Sequence, residues 1–311
     1  MKIDVLAIDQ QNDFHDIPDD VAQAMGITPA LPVPGSWEDS KRFAGFIKKA
    51  GHLFNSVTMT MDTHQQYDVG HSLFWKDKNG NSPLPLFLTK DNADKGVVAP
   101  ILAQDIKNGT WVPRDTSRKS EMIAYAEALE SEGKYAIIVW PDHCLVGTPG
   151  YDVVQPVREA LLEWERKFIS RVNFVTKGHN PFTEHYGGFQ AEVPINNDPS
   201  TQLNVPLIQR FQDSDMVLLT GQALSHCVAS TVRQLADNFG DENIKKLVLL
   251  VDTCSAVPGF EKNADDFVSE MMARGMQVAK TTDIGVGRDE LRIGEAVKKS
   301  IRNINQNRPQ V

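Results

Sequence analysis

Cysteine is scarce: three in 311 residues, Cys144, Cys227 and Cys254. An odd number without a close pair argues against a disulfide framework and suits a reducing compartment. Long apolar runs are also missing; none approaches the ~20 residues that cross a bilayer, so no membrane association is expected. Positive charge is in deficit, with 32 Lys and Arg against 41 Asp and Glu and a net charge of −9. That balance argues against a nucleic-acid surface. The opening Met1-Lys2-Ile3-Asp4-Val5 is too charged, and its apolar run too short, for a secretory leader; a cytoplasmic location is expected. Internal repeats and low-complexity segments are lacking as well. What remains is the composition of an ordinary globular protein, long enough for one large domain or two small ones.

Continuous apolar runs predict strands at 3–8, 53–61, 135–140, 173–176, 216–219, 244–251 and 276–281. Apolar residues at helical spacing predict helices at 38–51 (Phe43, Phe46 and Ile47 on one face), 120–132, 261–273 and 288–304. Two more follow from Val154, Val157, Leu161 and Phe168, and from Val228, Val232, Leu235 and Phe239. Unbroken apolar strands alternating with helices define an α/β three-layer sandwich. Its sheet is mostly parallel, of roughly six strands, covered by helices on both faces. The whole of 1–311 reads as one domain. Residues 15–37, 72–118 and 179–206 are loop-rich and polar and read as insertions. A structureless segment as long as 72–118 is uncommon inside a compact domain, which suggests a lid or an oligomer contact.

The chain is organised around Cys227, placed where a strand hands over to a helix. Free backbone N–H groups and the helix dipole there favour a thiolate and can cradle an oxyanion, so Cys227 is a candidate nucleophile. In a parallel sheet, functional groups gather at the carboxyl ends of strands. Asp9, Asp62, His64, His143, Lys177 and Cys227 all fall at or just after predicted strand ends. A thiol nucleophile needs a base, which a carboxylate such as Asp9 supplies if its pKa is raised, with Lys177 balancing its charge. Asp62 and His64, two residues apart in an extended segment, face one side. With His143 they make a set that suits a divalent transition metal, and His71 is a candidate fourth ligand. Phe14 and Trp140 are placed to wall a flat ring. His15, His52, His179, His185 and His226 read as ordinary histidines; on a helix, the side chain of His226 points away from that of Cys227.

Taken together, these pieces resemble the nicotinamidases of the isochorismatase-like cysteine hydrolase superfamily. The resemblance rests on Asp9-x-Gln11-Asn12-Asp13-Phe14, Asp62-x-His64, Trp140-Pro141-x-His143-Cys144-x-x-Gly147-Thr148-Pro149-Gly150, Lys177-Gly178, and Gly221-x-Ala223-x-x-x-Cys227-Val228-x-x-Thr231. These come in the family's order and span most of the chain. The resemblance implies hydrolysis of nicotinamide to nicotinate and ammonia through a thioester on Cys227, a step in NAD salvage. It makes Asp9 the proton shuttle and Lys177 its partner. The backbone N–H groups of Ala223 and Cys227 become the oxyanion hole, with a cis peptide between Gln222 and Ala223. Asp62, His64 and His143 then hold one divalent metal, zinc foremost, with iron and manganese also suited to the set. That metal anchors the pyridine nitrogen while Phe14 and Trp140 sandwich the ring. A homo-oligomer is implied. The alternatives are a related cysteine hydrolase acting on another small carboxamide, its pocket reshaped by the insertions, and a non-catalytic ligand-binding member.

Overall fold

A computed structural model describes residues 1–86 and 100–294. The first half of the central sheet comes from β1 (Ile3–Ile8), β2 (Phe54–Asp62) and β5 (Val172–Lys177). The second half comes from β6 (Met216–Gly221), β7 (Leu247–Leu250) and β8 (Gln277–Ala279). Two short strands, β3 (Trp75–Lys76) and β4 (Val112–Pro113), pair with each other, as do β9 (Ile284–Val286) and β10 (Leu291–Ile293). The six-stranded order is β5-β2-β1-β6-β7-β8, and every pairing is parallel. After β1 the chain winds toward β5; after β6 it winds toward β8. The strand order therefore reverses between β1 and β6, and the crevice beyond their carboxyl ends is where such sheets bind ligands.

Parallel strands covered on both faces must be apolar throughout, and β1, β6 and β7 are buried at every position. One face is covered by α2 (Ser36–Ala50) and α5 (Gln155–Phe168), which bury Phe43, Ile47, Val157 and Trp164 against β1 and β2. The other is covered by α6 (Val205–Gln212), α7 (Ala229–Asp237) and α8 (Glu261–Arg274), through Phe211, Val232, Leu235 and Phe267. This is the expected three-layer sandwich. At the centre Ile8 stands level with both Thr60 and Gly221. Gly221 is required there: its φ is 139°, and a Cβ would lie 2.0 Å from the Ile8 carbonyl oxygen.

Several expectations need correction. The stretch 15–37 is not all loop; α1 (Asp19–Met25) lies within it. Helix α6 was not foreseen. Residues 135–140 run extended but join no sheet. Ile137 bridges Ile101, and Trp140 bridges His71, so this apolar run is buried under loops rather than between strands. The described part of 288–304 begins with β10 instead of a helix; the remainder lies outside the described residues. The described parts of 72–118 fold with their neighbours. There α3 (Ala103–Asn108) and α4 (Lys119–Ser131) close a third apolar core of Phe74, Trp75, Ile106, Met122 and Leu129.

Candidate active site

The carboxyl ends of four strands deliver the central groups. Asp9 follows β1 in a left-handed conformation, φ 47°, and its N–H donates to the Thr60 carbonyl at 3.1 Å. Asp62 ends β2 and Lys177 ends β5, directly opposite each other in register. Cys227 lies in the π-helical turn Leu224–Val228 that links β6 to α7. All four are buried.

Lys177 is the hub. Its Nζ lies 2.9 Å from Asp9 Oδ2 and 3.0 Å from Asp62 Oδ1. The same nitrogen donates to the His185 carbonyl at 2.9 Å and sits 3.7 Å from Cys227 Sγ. Asp9, Asp62 and Cys227 gather within 4.8 Å of one another, and the ammonium between them is the cation that grouping requires. Burial alone would depress the Lys177 pKa, but Asp62 and Asp9 outweigh it and hold the ammonium charged. Burial, with Asp62 adding, pushes the Asp9 carboxyl above its ordinary range against the pull of Lys177 and Thr60. Thr60 Oγ1 donates to Asp9 Oδ1 at 2.6 Å, leaving Oδ2 toward the ammonium.

The thiol departs from expectation. Burial pushes Cys227 well above an ordinary thiol; Lys177 opposes this, while Asp9 and Asp62 reinforce it. The resting group is therefore a neutral thiol beside Asp9, and the turn's amides do not make it a standing thiolate. Alkylation of the resting protein by iodoacetamide is accordingly expected to keep rising above pH 8.5. A plateau already reached near neutral pH, lost in Cys227→Ala, would show the thiolate to be preformed.

Beside this cluster, His64 Nε2 and His143 Nε2 converge on Asp62 Oδ2, at 3.1 and 3.5 Å. Asp62, His64 and His143 form a set whose donor atoms lie within 4.8 Å of one another. The far nitrogens are tied: His64 Nδ1 meets Asp68 Oδ2 at 3.1 Å, and His143 Nδ1 meets the Pro141 carbonyl at 2.8 Å. Such ties put the proton on Nδ1 and turn the Nε2 lone pair toward a metal. His64 Nε2 is buried without a hydrogen-bond partner among the described residues. With both protons on Nδ1, two Nε2 lone pairs and one carboxylate oxygen face one another, a donor set that a divalent cation fits. His71 stands beside this set rather than in it. Its Nδ1 meets the Gln65 carbonyl at 3.1 Å, and its Nε2 lies 3.3 Å from His143 Nδ1, the side turned away from Asp62. Burial, with His143 and His64 adding, lowers its pKa to about 3, so it braces His143 as a neutral ring.

His143 arrives from a loop, not from a strand end. Asp13 fixes that loop, its Oδ2 accepting the Cys144 N–H at 2.7 Å. A Cβ on Gly150 would lie 2.2 Å from the same carboxylate. A pocket of about 380 Å³ opens over these groups, with Cys227, Ala223, Asp62 and His143 in its walls. Phe14 and Trp140 line it, and Phe14 meets the His143 ring edge-on at 5.4 Å. The Gln222–Ala223 peptide is cis, and the Ala223 N–H has no hydrogen-bond acceptor among the described residues.

The sequence did not single out Glu184, Tyr186 or Val257, which also line the pocket. Tyr186 Oη accepts the Trp140 Nε1–H at 3.0 Å. His226 lines the pocket too, where it was expected to turn away. The π-helical turn, closed by Val228 N–H to the Ala223 carbonyl at 3.1 Å, holds more residues than an α-turn, so neighbouring side chains diverge less.

No family model matches the chain, and no curated protein matches it by sequence. Solved structures do match. The nicotinamidase–pyrazinamidase of Acinetobacter baumanii is 14% identical, with a TM-score of 0.55 over 91% of this chain and 97% of that one. The yeast nicotinamidase Pnc1p is 17% identical, with a TM-score of 0.55 over 90% and 99%. The Pyrococcus horikoshii pyrazinamidase in complex with zinc is 16% identical, with a TM-score of 0.50 over 90% and 99%. The chain has the fold these enzymes share.

Proposed function

We propose that the protein is a cysteine amidohydrolase that converts nicotinamide, or a closely related pyridine carboxamide, to the acid and ammonia. The observation that carries this reading is the contact of two sets through Asp62: the Asp9–Lys177–Cys227 cluster and the Asp62–His64–His143 set. Separately each set has bland explanations. Side by side at the floor of a pocket walled by Phe14 and Trp140, they fit a flat heteroaromatic ring with a carboxamide at one edge.

The residues divide the work as follows. Asp9, its carboxyl raised toward the working pH, takes the Cys227 proton as Sγ attacks the carboxamide carbon. The Ala223 and Cys227 N–H groups receive the developing oxyanion. Asp9 passes the proton to the amide nitrogen, the C–N bond breaks, and ammonia leaves a thioester. Asp9 then deprotonates a water that attacks the thioester carbon, and the proton returns to the departing sulfur. Lys177 holds Asp9 and Asp62 in place throughout. A divalent ion held by Asp62, His64 and His143, zinc foremost, would supply a Lewis-acidic anchor for the ring nitrogen. Phe14 and Trp140 hold the ring between them, and His71 braces His143.

Purified protein is expected to release ammonia from nicotinamide, to lose most of that activity on chelation, and to regain it with added zinc. Absence of ammonia release from folded, metal-loaded protein would overturn nicotinamide as the substrate. The chelator arm tests the metal set separately.

A further inference from the structure

Beyond Tyr186 lies a second, smaller cavity, which shares Glu184 and Tyr186 with the substrate pocket. Its far wall belongs to the third apolar core, through Val69, Tyr125 and Leu129, and it has room for one water-sized species. Two acidic residues, Glu184 and Glu192, line this space together with Tyr125, Tyr135, Tyr186 and apolar side chains. Their backbones are joined, the Glu192 N–H donating to the Glu184 carbonyl at 2.8 Å. Glu184 Oε1 accepts the His185 N–H at 3.0 Å. Glu192 is 7% exposed, and its Oε1 is buried with no hydrogen-bond partner among the described residues. A buried carboxyl oxygen left unpaired is costly, so something outside the chain should meet it.

The surroundings narrow what that is. Lys134, the nearby cation, bonds the Glu192 backbone carbonyl and lies 2.8 Å from Glu132, so its ammonium is already engaged. Tyr125 Oη accepts the Glu184 N–H at 2.9 Å, and Tyr186 Oη accepts from Trp140; each phenol oxygen retains a free lone pair. Tyr135 adds an aromatic ring to the wall. The donors are thus all hard oxygens, which select hard cations. Magnesium dehydrates reluctantly and keeps several waters, for which there is no room. Burial, with Glu184 adding and Lys134 opposing, raises the Glu192 carboxyl to about 7; a cation in the cavity would favour its ionised form.

We infer that this cavity is a binding site for one bare monovalent cation of the size of water, ammonium or potassium, held by Glu184 and Glu192. Potassium would come from solution. Ammonium would be the product released next door, and only that source rests on the amidase reading.

The test is crystallographic and needs no turnover. Crystals of the full chain are soaked in rubidium chloride and in sodium chloride, and anomalous difference density is collected at the rubidium edge. A rubidium peak beside Glu192 Oε1, absent in the isosteric Glu192→Gln, is expected. Titrating ammonium or potassium chloride against the bound rubidium then distinguishes the source. Displacement by ammonium at the lower concentration identifies the product ion, the reverse order identifies potassium, and either order supports a cation site. Water-like density without anomalous signal at saturating rubidium in the wild-type crystals would overturn the proposal. That failure would leave ammonia release untouched, and loss of ammonia release would leave the rubidium peak in place.

Discussion

Cys227→Ala is expected to lower ammonia release from nicotinamide by on the order of 10⁴-fold or more, the scale seen when a covalent nucleophile is removed. The reason is geometric. Among the described residues, Cys227 Sγ is the thiol sulfur that groups with Asp9 within 4.8 Å and lies 3.7 Å from Lys177 Nζ. Burial raises the pKa of all three thiols, so position and not acidity sets Cys227 apart from Cys144 and Cys254. Removing a small buried side chain costs little structure, so metal content and unfolding temperature should stay close to wild type. Stopped-flow release of ammonia, with metal analysis on the same sample, checks this. Residual activity within tenfold of wild type would show that water attacks directly and that no thioester forms.

Lys177→Met has the second large effect, and it falls on stability as well as rate. Methionine matches the length of the stem but leaves Asp9 and Asp62 facing each other in a dry site. Breaking a buried ion pair from one side costs about 3–5 kcal/mol. For a chain of this size that lowers the unfolding temperature by roughly 10 °C. The sign with pH follows from Asp9, whose folded pKa lies above its ordinary value. A raised carboxyl pKa means the folded state holds the proton more tightly than the unfolded one. Asp9 therefore favours folding at pH below the ordinary carboxyl range and disfavours it as pH rises through the folded pKa. Without the ammonium the folded pKa rises further, so the deficit of Lys177→Met should shrink on acidification. Thermal unfolding between pH 4.5 and pH 8 reads this directly. The double variant Asp9→Asn with Lys177→Met should recover part of the lost stability and none of the activity. An equal deficit at both pH values would make packing, not charge, the cause.

The sheet was legible because a strand covered on both faces is mostly apolar, and β1, β6 and β7 are buried at every position, with Asp4 and Thr220 the polar exceptions. The same rule misled at 135–140. Ile137 and Val139 are buried in the third core, so the run is apolar, yet its partners are loops and no strand lies beside it. Helix α6 was hidden by Pro206. Proline breaks a helix interior but is accommodated in the first turn, and Asn204 caps that turn by accepting the Leu207 N–H at 3.1 Å. The cap followed by proline was the readable signal. Of the site, the groups at strand ends were legible because strand ends are where parallel sheets place function. The pocket's side wall was not. Glu184 and Tyr186 reach it from a loop-rich segment with no periodicity to orient them, and His226 reaches it through a turn wider than an α-helix.

The strand order also sets a timetable for synthesis. β1 is made first, and one of its two edges is taken by β2. The other waits for β6, so a strand that is apolar at every position but Asp4 has an open flank until Met216–Gly221 has left the ribosome. An unpaired apolar edge is what other chains add to. Chains interrupted before β6 would therefore be aggregation-prone, and an emerging chain would call on a holding chaperone through that interval. The same delay separates Asp9 and Lys177 from the thiol, so no reactive centre exists until the sheet closes around it.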